Sequence, residues 1–224
     1  MAQAPQMQVS DEIAIQITKM NKWYGTFHVL RDIDLTVNRG ERIVIAGPSG
    51  SGKSTLIAYI AGFLDPVFAA SGKVLSGDTE LTTLPAEARH AGILFQDPLL
   101  FPHLSVLDNI AIAVPQSVSS RRQRREIARA ALERVDLSGF GDRDPDTLSG
   151  GQKARVALQR VMVSEPRLLL LDEPFSKLDT ALRGQVREMV FDHARAAQLP
   201  VILVTHDGAD AEAAQGQIIS VGSL

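Results

Sequence analysis

The chain contains no cysteine. That absence excludes a disulfide framework, a thiolate zinc site and a cysteine nucleophile, and it agrees with a reducing compartment. Long apolar runs are missing too: none approaches the ~20 residues that span a bilayer. Residues 1–10 are polar and uncharged and lack the basic start and apolar core of a signal peptide. The cytoplasm is therefore the expected location, and any membrane part of the machinery is expected on another chain. Charge of one sign is scarce, with 23 Lys and Arg against 26 Asp and Glu for a net charge of -3. A surface that tracks nucleic acid over its whole area is not expected from that balance. No internal repeat or low-complexity linker is present. A length of 224 residues suits one large α/β domain, or a core with a subdomain, burying about three quarters of its unfolded surface.

What is present centres on Gly47-Pro48-Ser49-Gly50-Ser51-Gly52-Lys53-Ser54, followed by Thr55. Every fixed position of the phosphate-loop pattern G-x-x-x-x-G-K-[ST] is met. The apolar run Ile43-Val44-Ile45-Ala46 precedes it as a buried strand does, and Leu56, Ile57, Tyr59 and Ile60 follow at the spacing of a packed helix face. Glycines let the backbone fold tightly enough for successive N–H groups to form an anion nest at the positive end of the helix dipole. Lys53 adds a charge for the terminal phosphates, and the Ser54 hydroxyl suits Mg²⁺. A nucleoside triphosphate is the expected ligand.

Ahead of the loop, residues 13–17 and 29–37 read as strands, so a β layer comes before the nucleotide strand. Between them lie Lys22-Trp23-Tyr24-Gly25, placing two aromatics in a loop of a chain only 5% aromatic. Either could stack on a base or plug the edge of the core. After the loop, turns surround a short strand at Lys73-Val74-Leu75, and residues 91–95 form another strand ending at Gln96. Residues 97–115 are loop-rich with a short helix over 106–113. Residues 120–135 read as an amphipathic helix through Ile127, Ala131 and Val135. Arg121, Arg122, Arg124 and Arg125 crowd its first turns, against the helix dipole. They form a solvated face or a patch for anionic lipid or a partner.

Ser149-Gly150-Gly151-Gln152 opens the next helix. Ser149 and Gln152 make a capping box, which does not account for the paired glycines. Glycines there destabilise the helix but leave N–H groups uncovered, as an external phosphate requires. Leu168-Leu169-Leu170-Leu171 is a buried strand ending in Asp172 and Glu173, and Val201-Ile202-Leu203-Val204-Thr205 ends in His206. Ligands of parallel α/β sheets sit beyond the carboxyl ends of strands, so Gln96, Asp172, Glu173 and His206 are expected to converge on one nucleotide. Hydrolysis of a γ-phosphate needs neutralised charge, a metal and an aligned water. Lys53 and the loop supply the first, Ser54 and Asp172 suit the metal, Glu173 is placed as general base, and His206 as a contact to phosphate or water. No arginine-finger candidate stands out.

Taken together, these motifs resemble the nucleotide-binding subunit of ATP-binding cassette (ABC) transporters over nearly the whole chain. Gly47 to Thr55 is similar to Walker A, Leu94-Phe95-Gln96-Asp97 to the glutamine loop, and Leu148-Ser149-Gly150-Gly151-Gln152 to the signature sequence. Leu168 to Glu173 is similar to Walker B, Ser176-Lys177-Leu178-Asp179 to the D-loop, and His206 to the switch histidine. The resemblance implies an α/β P-loop ATPase core with an N-terminal antiparallel β subdomain and an inserted α-helical subdomain. Residues 1–11 read as a disordered start, and the resemblance implies a single domain over 12–224 with a helical subdomain at about 97–163 that grips a membrane partner.

It further implies a head-to-tail dimer with two sandwiched ATPs and Mg²⁺. Ser149, Gly150, Gly151, Gln152 and Asp179 would then act on the nucleotide of the other copy, Tyr24 (or Trp23) would stack on adenine, and Gln96 would sense the metal and the water. The stretch from Phe95 through Phe101-Pro102-His103 to Asn109-Ile110 is similar to bacterial importers served by a periplasmic binding protein. An importer ATPase on the cytoplasmic face of the inner membrane, working with permease subunits and a solute-binding protein, is the expectation; an exporter or lipid-extraction ATPase, or a soluble ABC-type ATPase of nucleic acid or ribosomes, is the alternative. Two departures stand out. The tail after His206 is short: Gln215 to Gly222 is similar to the family's closing strand, but the strand that usually comes between is missing, putting the sheet edge in doubt. Lys177 occupies a D-loop position where small residues are common, a departure read as tolerated.

Overall fold

Alternation within the apolar runs builds the centre of the molecule. In the computed structural model, which describes residues 13–24 and 27–221, five strands form a parallel sheet: β3 (Arg42–Ala46), β6 (Ala91–Phe95), β7 (Leu168–Asp172), β8 (Val201–Thr205) and β9 (Gln217–Ser220), in the order β6-β7-β8-β3-β9. Successive side chains face opposite sides of each strand. Leu168, Leu170, Ile43, Ile45, Ile202 and Val204 fill the core on one side of this sheet. Leu169, Leu171, Val44, Val201 and Leu203 fill the core on the other. Both faces of β3, β7 and β8 are covered, which is why these three strands read as apolar runs.

A second, antiparallel sheet, ordered β2-β1-β4-β5, is built from β1 (Ile13–Tyr24), β2 (Phe27–Asn38), β4 (Phe68–Ser76) and β5 (Thr79–Glu80). Ile15, Ile17, Leu35, Val37 and Val74 from this sheet share the first core with Leu56, Ile57 and Ile60 of helix α1 (Lys53–Ala61). The helix after the phosphate loop is thus held between two sheets. Its C-terminal end is fixed by buried Arg89, which donates to the carbonyls of Tyr59 (2.7 Å) and Ile60 (3.0 Å). A cation there complements the negative end of the helix dipole.

The other face of the parallel sheet is covered by α4 (Gly150–Met162), α5 (Thr180–Ala196) and α6 (Gly208–Ala214). Between β6 and α4 the chain builds a third core from α2 (Val106–Ala111), α3 (Arg121–Glu133) and the start of α4, around Leu107, Ile110, Ala131, Leu132 and Val156. The architecture is the α/β core, antiparallel β layer and inserted helical subdomain that the sequence led us to expect.

Several local expectations are corrected. Lys22, Trp23 and Tyr24 lie in β1 rather than in a loop, because that strand continues to its pairing with Phe27 and, across the sheet, with Phe68. The strand expected at Lys73-Val74-Leu75 extends over 68–76, held along its length by β1. The sheet edge left in doubt closes at β9, which pairs directly with β3 through Ile43↔Gln217 to Ala46↔Ser220. The arginines of α3 divide. Arg124 donates to the carbonyls of Pro115, Val118 and Ile112, and Arg125 meets Asp108 at 2.6 Å, while Arg121 and Arg122 stay exposed. Segment 1–11 lies outside the described residues.

Candidate active site

In-register pairing brings the strand ends together. Phe95 lies beside Asp172, Asp172 beside Val204, and Ala46 beside Thr205, so Gln96, Glu173, His206 and Gly47 leave the sheet at one edge. The connection after β3 is the phosphate loop. Gly50 (φ 83°) and Gly52 (φ 87°) are both in the left-handed region, where a side chain would strain the backbone. At Gly47 an added Cβ would lie 2.5 Å from the carbonyl oxygen of Val221. Lys53 is buried, and its ammonium donates to the carbonyls of Gly47 (2.9 Å) and Pro48 (2.7 Å), locking the loop from inside. Thr55 Oγ1 donates to the Gly52 carbonyl at 2.7 Å.

These elements wall an open cleft of about 830 Å³, lined by Ser49, Gly50, Gly52, Lys53, Ser54, Thr55, Gln96, Asp172 and Glu173, with Phe68, Phe95, Asp97 and Leu99. Ser54 Oγ donates to Asp172 Oδ1 at 2.8 Å across 118 positions of sequence. Burial pushes the Asp172 carboxyl above its ordinary pKa; the Ser54 hydroxyl opposes that shift, Glu173 adds to it, and Lys53 opposes it again. Glu173 has a left-handed backbone (φ 48°), uncommon for a residue other than glycine. Its N–H donates to the Val204 carbonyl at 3.0 Å. Glu173 Oε1 meets His206 Nδ1 at 2.9 Å.

The cleft omits other residues singled out from sequence. Ser149, Gly150, Gly151 and Gln152 do not line it. Ser149 Oγ accepts from Gln152 N at 3.3 Å and Gln152 Oε1 from Ser149 N at 2.9 Å, so the capping box forms. Of the paired glycines, Gly151 gains a packing reason as well, since a Cβ there would lie 2.4 Å from Leu182 Cδ2, whereas one at Gly150 would make only an ordinary contact with Leu178. Asp179 caps α5, accepting from Leu182 N at 3.0 Å. Ser51 of the loop is buried, Pro48 contributes its carbonyl to Lys53, and the side chain of Tyr24 lies outside the described residues. Sequence reasoning missed Phe68, Phe95 and Leu99 as cleft walls. Phe95 carried the only available signal, its place next to Gln96. Lys177, read as a tolerated departure, forms an ion pair with Asp97 at 2.5 Å.

A parallel sheet, a glycine-turned loop entering a helix, and a strand-end carboxylate bonded to the loop serine define a P-loop nucleoside triphosphatase. The family model described as ABC transporter matches residues 30–176, and the chain belongs to that family. It is an ATP-binding subunit and an ATPase. A glutamate/glutamine/aspartate/asparagine transport ATP-binding protein of Rhodobacter capsulatus is 44% identical over 219 residues, covering 95% of this chain and 81% of its own. An Fe(3+) ions import ATP-binding protein of Rhizobium meliloti is 41% identical over 198 residues, covering 88% of this chain and 55% of its own length. The solved structure of CbiO1 from Clostridium perfringens, part of the ABC transporter complex CbiONQ, superposes with a TM-score of 0.74 at 30% identity, covering 88% of this chain and 79% of that one.

Proposed function

We propose that the chain energises a bacterial binding-protein-dependent importer, as a head-to-tail pair of copies bearing on permease subunits at the cytoplasmic face of the inner membrane. The observation that carries the ATP site is the start of α1. Helices α2 to α6 are capped by their own Ser105, Ser120, Ser149, Asp179 and Asp207 side chains, whereas α1 opens on left-handed Gly52 with no side-chain cap. A helix end left open beside Lys53 favours a polyphosphate anion.

Ser54 and Asp172 offer the hard oxygen donors that Mg²⁺ prefers, on the floor of the same cleft. Among the described residues no cluster of three His, Cys, Asp or Glu could hold a metal, so phosphate and water oxygens would complete the shell. When bound, the ion neutralises charge on the terminal phosphates. The chain's own residues do the rest. Lys53 and the loop amides hold the phosphates, Glu173 takes the proton of the attacking water, His206 fixes the Glu173 carboxylate, and Gln96 orders the water at the mouth. Tyr24, with Trp23 as the alternative, stacks on the base. Ser149, Gly150, Gly151, Gln152 and Asp179 close the site of the second copy, consistent with their lying outside the cleft of their own chain.

Within a single domain over 12–224, we place the helical subdomain at 97–163. Leu99, Phe101 and Ile112 are exposed apolar side chains of this subdomain, Leu99 in the cleft wall with Gln96, and such exposure suits a permease contact. No helix among the described residues is long and apolar enough to cross a membrane, so the permease is a separate chain in this reading. The importer relatives support import over export, and cargo recognition then rests with a periplasmic or surface solute-binding protein.

Purification of the tagged chain from gently solubilised membranes of its own cell, followed by mass spectrometry, tests the assignment. A polytopic permease is the expected companion. Recovery only from the soluble fraction, with ribosomes or DNA, would overturn the transport reading and leave the ATPase chemistry standing.

A further inference from the structure

We propose that Arg183 is a positioning residue for hydrolysis, its guanidinium spanning the two loops that carry Glu173 and His206 and fixing their contact. The inference rests on the reading of that pair as the hydrolytic centre. Arg183 lies near the start of α5, with its side chain 23% exposed. Nη1 donates to Asp207 Oδ2 at 2.5 Å and Nη2 to the Ser176 carbonyl at 3.1 Å. Each of those partners is itself pinned to one half of the pair.

On the Walker B side, Ser176 donates to the Glu173 carbonyl twice, from Oγ at 2.8 Å and from its N–H at 3.2 Å. That closes the turn in which Glu173 keeps its left-handed backbone. On the switch side, Asp207 follows His206 directly. Its Oδ1 accepts from the N–H groups of Ala209 (2.8 Å) and Asp210 (3.4 Å), and its own N–H donates to Thr205 Oγ1 at 3.0 Å. Both loops are therefore tied locally, and the guanidinium joins the loop that carries Glu173 to the loop that carries His206, whose side chains meet at 2.9 Å. Arg183 serves its two acceptors from two separate nitrogens of a rigid planar fork; a lysine has a single nitrogen on a flexible stem and does not reproduce that spacing.

Arg183→Leu and Arg183→Lys are expected to lower kcat by about 10- to 100-fold, the range for losing a group that orients a reacting residue. The Kd and KM for ATP should stay within about twofold. Asp207→Asn should behave alike, and the double variant Arg183→Leu/Asp207→Asn should be no slower than the worse single one, since both remove one bridge. A spectroscopic readout follows the contact itself. The imidazole nitrogen signals of His206, assigned by their loss in His206→Gln, should move in all three single variants toward those of a freely exchanging ring.

Variants that bind ATP normally yet keep kcat within twofold, or that lose kcat with the His206 signals unmoved, would overturn the proposal. Loss of ATP binding in all three single variants would assign Arg183 to the fold and overturn it as well. Failure of the underlying reading looks different. Glu173→Gln would then hydrolyse ATP normally, while the His206 signals would still report whether the bridge holds the contact.

Discussion

A Glu173→Gln variant is expected to bind ATP as the unaltered chain does and to hydrolyse it about 100- to 10,000-fold more slowly, the usual contribution of a positioned general base. The substitution is nearly isosteric. It keeps a hydrogen-bonding group opposite His206 Nδ1, where the carboxylate now sits at 2.9 Å, and the amide can occupy the same left-handed backbone. What it removes is the oxygen able to take a proton. Single-turnover hydrolysis beside equilibrium ATP binding separates the two effects. Normal turnover would remove Glu173 from the proton-accepting role and leave the strain at that residue without a mechanistic reason.

Lys53→Ala is expected to weaken ATP binding by about 10- to 100-fold, on the scale of roughly 1.5–3 kcal/mol for hydrogen bonds to a charged group. Two losses coincide. The cleft loses its buried cation, and the phosphate loop loses the tethers from Lys53 to the Gly47 and Pro48 carbonyls. Lys53→Met retains most of the side-chain volume and removes only the ammonium, with its charge and its two tethers. Calorimetric titration with ATP reads both variants, and unchanged affinity in either would contradict the cradle.

The legible part of the site was local in sequence. The phosphate loop is encoded by spacing alone, and Gln96, Asp172, Glu173 and His206 could be found because each ends an apolar run. Their convergence depends on register, here the alignment of Phe95, Asp172 and Val204, which one sequence does not specify. The walls Phe68 and Leu99 come from separate parts of the chain and carry no periodic signal. Trp23 and Tyr24 looked like loop residues because the β1 run is interrupted by Thr18, Lys19, Asn21 and Lys22, yet pairing with β2 and β4 overrides that composition. The glycine at 151 reads from sequence as open backbone for a ligand, while its packing against Leu182 is a tertiary contact. The ion pair of Lys177 with Asp97 joins residues 80 positions apart and was invisible for the same reason.

The measurement that bears most directly on the composite ATP site is sedimentation of Glu173→Gln with and without ATP. The account predicts a species near the 24.2 kDa chain mass without nucleotide and one of twice that mass with ATP, carrying one nucleotide per copy. A variant that binds ATP yet stays at the single-chain mass would contradict the head-to-tail pair and return Ser149 and Gly151 to helix capping and packing alone.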